Sequence, residues 1–269
     1  MAVAQVSVPN HYGNVLRSEW TKLRSVRSTY WTLITAAALT VGLSAIICAV
    51  FVAQYSHLKQ SDIASFDAAS TSLTGGILAQ LAIAVLGVLV ITGEYANGMI
   101  RTTIAAVPQR LHVLASKVVV FSALTFSVML ASCLAAFFIG QAILSGKHLG
   151  VSLDQPRVLR TVVGTALYLT VLGLLALGIG ALLRKTAGAI CAVVGILFVA
   201  PVLAGFLPSS LAGVEKFLPS TAGTAIINST SAPTNGVDSL GPWIGMAVFV
   251  AYAVVALVAA GYFLQRRDA

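Results

Sequence analysis

The sequence predicts an all-α integral membrane protein with six transmembrane helices, and three observations lead there. Charged residues make up 9% of the chain and its mean hydropathy is +0.94, whereas a soluble domain carries roughly a quarter charged residues. Six apolar runs come close to or exceed the ~20 residues that a helix needs to cross a bilayer. The 16 basic residues, against 8 acidic ones, collect between these runs and near the two ends. In a soluble chain that excess would suggest nucleic acid. Here it is the charge bias that orients spans, and no nucleic-acid partner is expected.

The first element, residues 13–30, reads as an amphipathic elbow helix. Leu16, Trp20, Leu23 and Tyr30 recur at helical spacing, with Val26 on one flank. Arg17, Lys22 and Arg24 lie on the shoulders, while Glu19 and Arg27 fall close to the apolar stripe. Lys22 follows Glu19 by three residues, the spacing at which helical side chains pair. A basic amphipathic helix that leads into a span lies in the interface against lipid. A plain basic flank that only fixes topology is the competing reading.

The spans are expected at 31–53, 75–92, 118–145, 161–183, 186–206 and 241–264, with Pro201 placed to kink or end the fifth. Small residues at 176–180 and 188–192 suit close helix packing. Cys48, Cys133 and Cys191 all fall within apolar runs and read as packing residues, neither disulfide partners nor metal ligands.

Residues 93–117 form a polar stretch between the second and third spans. Asn97 is placed to cap a short helix over 98–107, and Pro108 to stop it. Ile100, Ile104, Val107 and Leu111 follow roughly helical spacing, with Arg101 and Arg110 off that stripe. Either the stretch rests on lipid headgroups or it docks a cytosolic partner. The apolar face favours docking, because a bare linker needs none. Residues 207–240 are too long for a turn and too apolar for a free loop. The sequence Phe-Leu-Pro-Ser begins at both Phe206 and Phe217, each a helix-start signal. We expect a pair of short helices re-entering the outer leaflet, buried in protein or facing water as lipid requires; a surface loop is the alternative.

An even number of spans puts both termini on one side. With the ends inside, eleven basic residues face the cytoplasm and five face out, which supports that orientation. No GxxxxGK[ST] loop is present, so no nucleotide is expected to bind through one, and no metal-ligand spacing appears. No span carries an ionisable residue at its centre, which argues against proton coupling.

The stretch SEWTKLRSVRSTYW, six spans and an E-Y-x-x-G-x-I-R-x-T…P-x-R loop together resemble an ABC-2 type transporter permease, in an actinobacterial style. Leu218-Pro219-Ser220-Thr221 is similar to what such permeases carry before their last span. The resemblance implies a permease subunit for ATP-driven export of a drug, antibiotic, lipid or other amphiphile, in a bacterial plasma membrane with both termini cytoplasmic. It implies two copies of a separate ATPase, which would hold the ATP and Mg²⁺, and a second permease copy, identical or paralogous. It casts 93–117 as the coupling element, with Glu94, Tyr95, Gly98, Ile100, Arg101, Pro108 and Arg110 at the ATPase contact. It places Glu19, Trp20, Lys22, Leu23 and Arg24 in the interfacial elbow. A secondary transporter without an ATPase, or a membrane subunit with a sensory or assembly role, are the alternatives.

The orientation is testable with an impermeant thiol reagent on intact cells. A Ser231→Cys variant is expected to react from outside, and a Gln109→Cys variant only after the membrane is opened. Labelling of the latter in sealed cells overturns the topology.

Overall fold

A computed structural model describes residues 12–57, 59, 66–106, 110–206, 209–227 and 240–266. Among these the regular structure is helical and no strand occurs. Helix α1 (Tyr12–Ser25) stops at Val26, whose extended backbone (φ −82°, ψ 113°) turns the chain into α2 (Arg27–Gln54). The elbow is therefore shorter than expected, because residues 27–30 form the first turn of the first span. A short α3 (Ala68–Thr71) follows, capped by Asp67, whose carboxylate accepts from the Ala69 and Ser70 N–H groups at 3.1 and 3.4 Å.

Helix α4 (Gly76–Ala96) is the second span. Asn97 does not begin the next helix, as its residue type suggested; it occupies the C-cap of α4 and donates its N–H to the Gly93 carbonyl at 3.1 Å. Gly98 then takes the left-handed conformation (φ +68°), which costs a glycine little and reverses the chain into α5 (Met99–Ala106). Expected residues Val107 and Pro108 lie outside the described residues. Helix α6 (Arg110–Ser145) begins eight residues before the expected start of the third span. Its length of about 54 Å exceeds the ~30 Å hydrocarbon core, so its first turns project beyond the apolar layer.

Helix α7 (Pro156–Leu183) is the fourth span, with Pro156 in its first turn, where a missing N–H leaves no bond unmade. The fifth consists of α8 (Thr186–Val194), a π turn (Gly195–Val199) and α9 (Ala200–Ala204). Pro201 neither ends nor breaks it outright. Its ring excludes an α-type bond to the carbonyl four residues back, and the wider turn before it absorbs the mismatch, with the Ala200 N–H donating to Gly195. In the 207–240 segment the described part is a 3₁₀ helix (Ser209–Phe217) and α10 (Pro219–Thr224), which starts at the second Phe-Leu-Pro-Ser. Residues 228–239 lie outside the description. Helix α11 (Pro242–Arg266) closes the set, and six helical segments are long and apolar enough to span a membrane.

Helix α7 is the hub, packed on α4, α6 and α11. Val162, Ala166, Leu169, Leu172, Ala176 and Leu177 on it have no exposed surface. Its small residues permit this: Gly178 meets Ala256 of α11 and Gly180 meets Val88 and Ile91 of α4. Gly188 in the fifth span meets nothing within 4 Å, so the small-residue expectation holds for the fourth span and fails at that position. Cys48 and Cys133 are buried as expected, while Cys191 faces out of the bundle. At the end of the bundle away from α1 Gln141 joins segments, donating to the Ala68 carbonyl and the Ser72 hydroxyl and accepting the Val151 N–H at 2.8 Å.

The tightest approach is between α4 and α7, where a Cβ on Gly87 would collide with the Gly173 carbonyl oxygen. Neither backbone can yield locally. Gly87→Val is expected to lower stability by about 1–3 kcal/mol, read as earlier thermal unfolding in detergent. Gly188→Val is expected to be near neutral; equal losses for the two would overturn this account of the packing.

Candidate functional site

The face that α1 turns inward is not the stripe drawn from Leu16, Trp20, Leu23 and Tyr30. Val15, Glu19 and Leu23, spaced by four residues, are the buried ones, while Trp20 and Tyr30 are about half exposed (45% and 46%). Trp20 and Tyr30 instead border a surface groove with Arg24, Leu33 and Leu124, the kind of position that interfacial aromatic residues occupy in lipid. A carboxylate on the inward face needs cations, and three separate segments supply its surroundings.

Lys117, on the second turn of α6, is only 2% exposed. It was expected among the cytoplasmic loop charges, and the early start of α6 carries it inside instead. Its ammonium donates to Glu19 Oε2 at 2.6 Å and to Glu94 Oε1 at 2.8 Å. Lys22 donates to Glu19 Oε1 at 2.6 Å, realising the pair expected from sequence, and reaches Glu94 Oε1 at 3.3 Å. It also donates to Thr103 Oγ1 of α5 at 3.2 Å. Two carboxylates and two ammoniums thus tie α1, α4, α5 and α6 together with no net charge. Glu94 Oε2 is buried and has no hydrogen-bond partner among the described residues.

Burial alone would raise the Glu19 carboxyl, but Lys117 and Lys22 outweigh it and hold the group below its ordinary value of 4.5. Burial likewise pulls the Lys22 ammonium down, and Glu19 with Glu94 outweighs it, so Lys22 stands above its ordinary 10.5. Glu19 and Lys22 each keep their charge because oppositely charged neighbours are present.

The remaining docking candidates surround this cluster. Ile100 anchors α5 at 4% exposure, and Met99 and Gly98 are exposed. Arg101 belongs to α5, but its side chain, like all of Pro108, lies outside the described residues. Tyr95 is half-buried under the Arg184 guanidinium, 5.0 Å from its ring centroid. Thr186 donates its hydroxyl to Thr92 Oγ1 at 3.0 Å, joining the α7–α8 junction to α4. Arg110 was expected to reach a partner; its Nη1 donates to the Leu264 carbonyl at 2.8 Å, covering the last turn of α11. Arg24 is exposed. Lys117, Thr103 and Arg184 were missed by sequence reasoning. The available signal was a glutamate lying close to an apolar stripe, which calls for a buried cation elsewhere.

Residues 15–202 match the model of a family described as ABC-2 family transporter protein. A search of curated proteins finds no match to the chain.

Removing one member of this cluster leaves buried charge uncompensated. Lys117→Met is expected to destabilise the fold by about 3–5 kcal/mol, and the combined Glu19→Gln, Glu94→Gln, Lys117→Met variant to recover much of that, both read by thermal unfolding in detergent. The pH dependence has two edges. Glu19's lowered pKa gives a contribution complete above 4.5 and lost as pH falls through the folded value. Lys22's raised pKa gives one complete below 10.5 and lost as pH rises through its folded value. Stability is therefore expected to be flat from these two groups between those limits, and a Glu19→Gln variant to lose the acid edge. An acid edge unchanged in that variant overturns the assignment.

Proposed function

The chain belongs to the ABC-2 family of transporter proteins, and from that premise we propose that it is the permease subunit of an ATP-driven exporter. It forms the translocation pathway and leaves nucleotide chemistry to a partner. In this reading two permease chains, identical or paralogous, sit in a bacterial plasma membrane with all termini cytoplasmic. Two copies of an ABC ATPase, carrying ATP and Mg²⁺, dock beneath them. The cargo is an amphiphile such as a drug, antibiotic or lipid. The six apolar helices and the family support a multi-pass transport component; the rest is our inference.

One observation carries the proposal. Helix α5, the short helix between the second and third spans, is bonded through Thr103 to Lys22, and Lys22 bonds to Glu19 and Glu94. A partner that pushes on α5 therefore moves a rigid charged knot that α1, α4 and α6 share, instead of a loose loop. In this arrangement Glu94 and Ile100 fix the base of the coupling element, Tyr95 links it to the α7–α8 junction, and Gly98 sets its turn. Arg101 supplies the charge that meets the ATPase, Pro108 belongs to the same contact, and Arg110 ties the start of α6 to the end of α11. Trp20, with Arg24, holds the elbow at the lipid surface while Leu23 packs inward.

Arg101→Glu is expected to cut ATPase capture in pull-down by tenfold or more, with a parallel loss of efflux, at unchanged membrane levels. Breaking a desolvated charge pair at a subunit contact costs about 2–5 kcal/mol, whereas a surface pair contributes ~0–1 kcal/mol. Arg101→Gln is expected to be intermediate. Capture and efflux equal to wild type in Arg101→Glu overturn the docking role of α5.

A further inference from the structure

A cleft of about 220 Å³ runs between the α1–α2 break, α4 and α5. Glu94, Lys22 and Lys117 form its polar end, Ser25 and Ser28 lie at the elbow side, and Leu86, Leu89 and Val90 of α4 form an apolar wall. Glu94 accepts both lysines through Oε1 alone, while Oε2 is buried and has no partner among the described residues. A carboxylate oxygen buried without a donor carries a desolvation penalty that a bound donor would relieve. Glu94 lines the cleft beside the apolar wall, at the end of a span, so a donor seated there has only a small side-chain shift to make to meet Oε2.

We propose that this cleft binds the headgroup of an aminophospholipid. Its primary ammonium donates to Glu94 Oε2, its phosphate lies toward Lys22, whose side chain is 25% exposed, and the Ser25 and Ser28 hydroxyls, and an acyl chain covers Leu86, Leu89 and Val90. The charge count selects this class. Glu19, Glu94, Lys22 and Lys117 sum to zero, so a zwitterion keeps the site neutral, whereas a lone cation or anion would leave a net charge in a poorly solvated place. Among zwitterionic lipids the oxygen distinguishes further, because it needs an N–H donor. A quaternary ammonium has none.

The full-length protein, delipidated in detergent, is offered phosphatidylethanolamine, phosphatidylcholine or phosphatidylglycerol with identical acyl chains, and bound lipid is read by native mass spectrometry. Phosphatidylethanolamine is expected to be retained about tenfold better than phosphatidylcholine, the scale of one charge-assisted hydrogen bond. Leu89→Trp fills the apolar wall without touching the charges and is expected to abolish that retention. Glu94→Gln is expected to erase the preference between the two zwitterions. Equal retention of phosphatidylethanolamine and phosphatidylcholine by the wild type overturns the proposal, whatever the variants do. So does preference for phosphatidylglycerol, and so does a folded Leu89→Trp protein that retains phosphatidylethanolamine as the wild type does.

Discussion

An ammonium at 2% exposure, as at Lys117, persists in a folded chain only beside anions that replace its water. Glu19 and Glu94 do so at 2.6 and 2.8 Å. Neither carboxylate belongs to the same helix as the other or as Lys117, so the charge is satisfied only when α1, α4 and α6 have all arrived. Such clusters contribute little net stability compared with apolar side chains of the same size, because desolvation offsets most of the attraction. Their effect is on position. A slip of α1 by one residue would carry Glu19 out of reach and leave Lys117 with Glu94 alone, which Lys22 also contacts. The place of the elbow, the starting turns of the third span and the attachment of α5 all follow from that condition.

Other polar ties gather at the same end of the bundle. Arg184 lies over Tyr95, Thr186 meets Thr92, and Arg110 covers the Leu264 carbonyl. Each joins one helix end to another, so this margin of five spans is linked through side chains. The middle of the bundle works differently. There the contact is backbone against backbone at Gly87 and Gly173, with small residues admitting α11 at Gly178. Close apolar packing of this type does not depend on charge or hydration. The polar ties therefore fix this end of the bundle, and close packing fixes its middle.

The exposed surface of α1 fits the same picture. Trp20 and Tyr30 face outward beside Arg24 while Leu23 turns in. Aromatic rings with a polar edge favour the headgroup region, and the outward face of α1 carries such a ring while its inward face packs on the charged cluster.

The sequence by itself determined that this chain is helical and carries six helices, among the described residues, long and apolar enough to cross a membrane, because about 20 consecutive apolar residues is a local requirement that any window of the sequence reports. Local spacing also determined the Glu19–Lys22 pair and the second Phe-Leu-Pro-Ser helix start. It did not determine the beginning of α6, since Arg110 to Lys117 mixes polar and apolar residues and its place against α1 is a tertiary contact. Nor did it determine which side of the elbow turns inward: Glu19 and Trp20 are adjacent positions, and choosing between them requires knowing that Lys117 waits 98 residues away. Tertiary structure decided these points because burying a charge is settled by its partners, and the partners here are brought together by the fold alone.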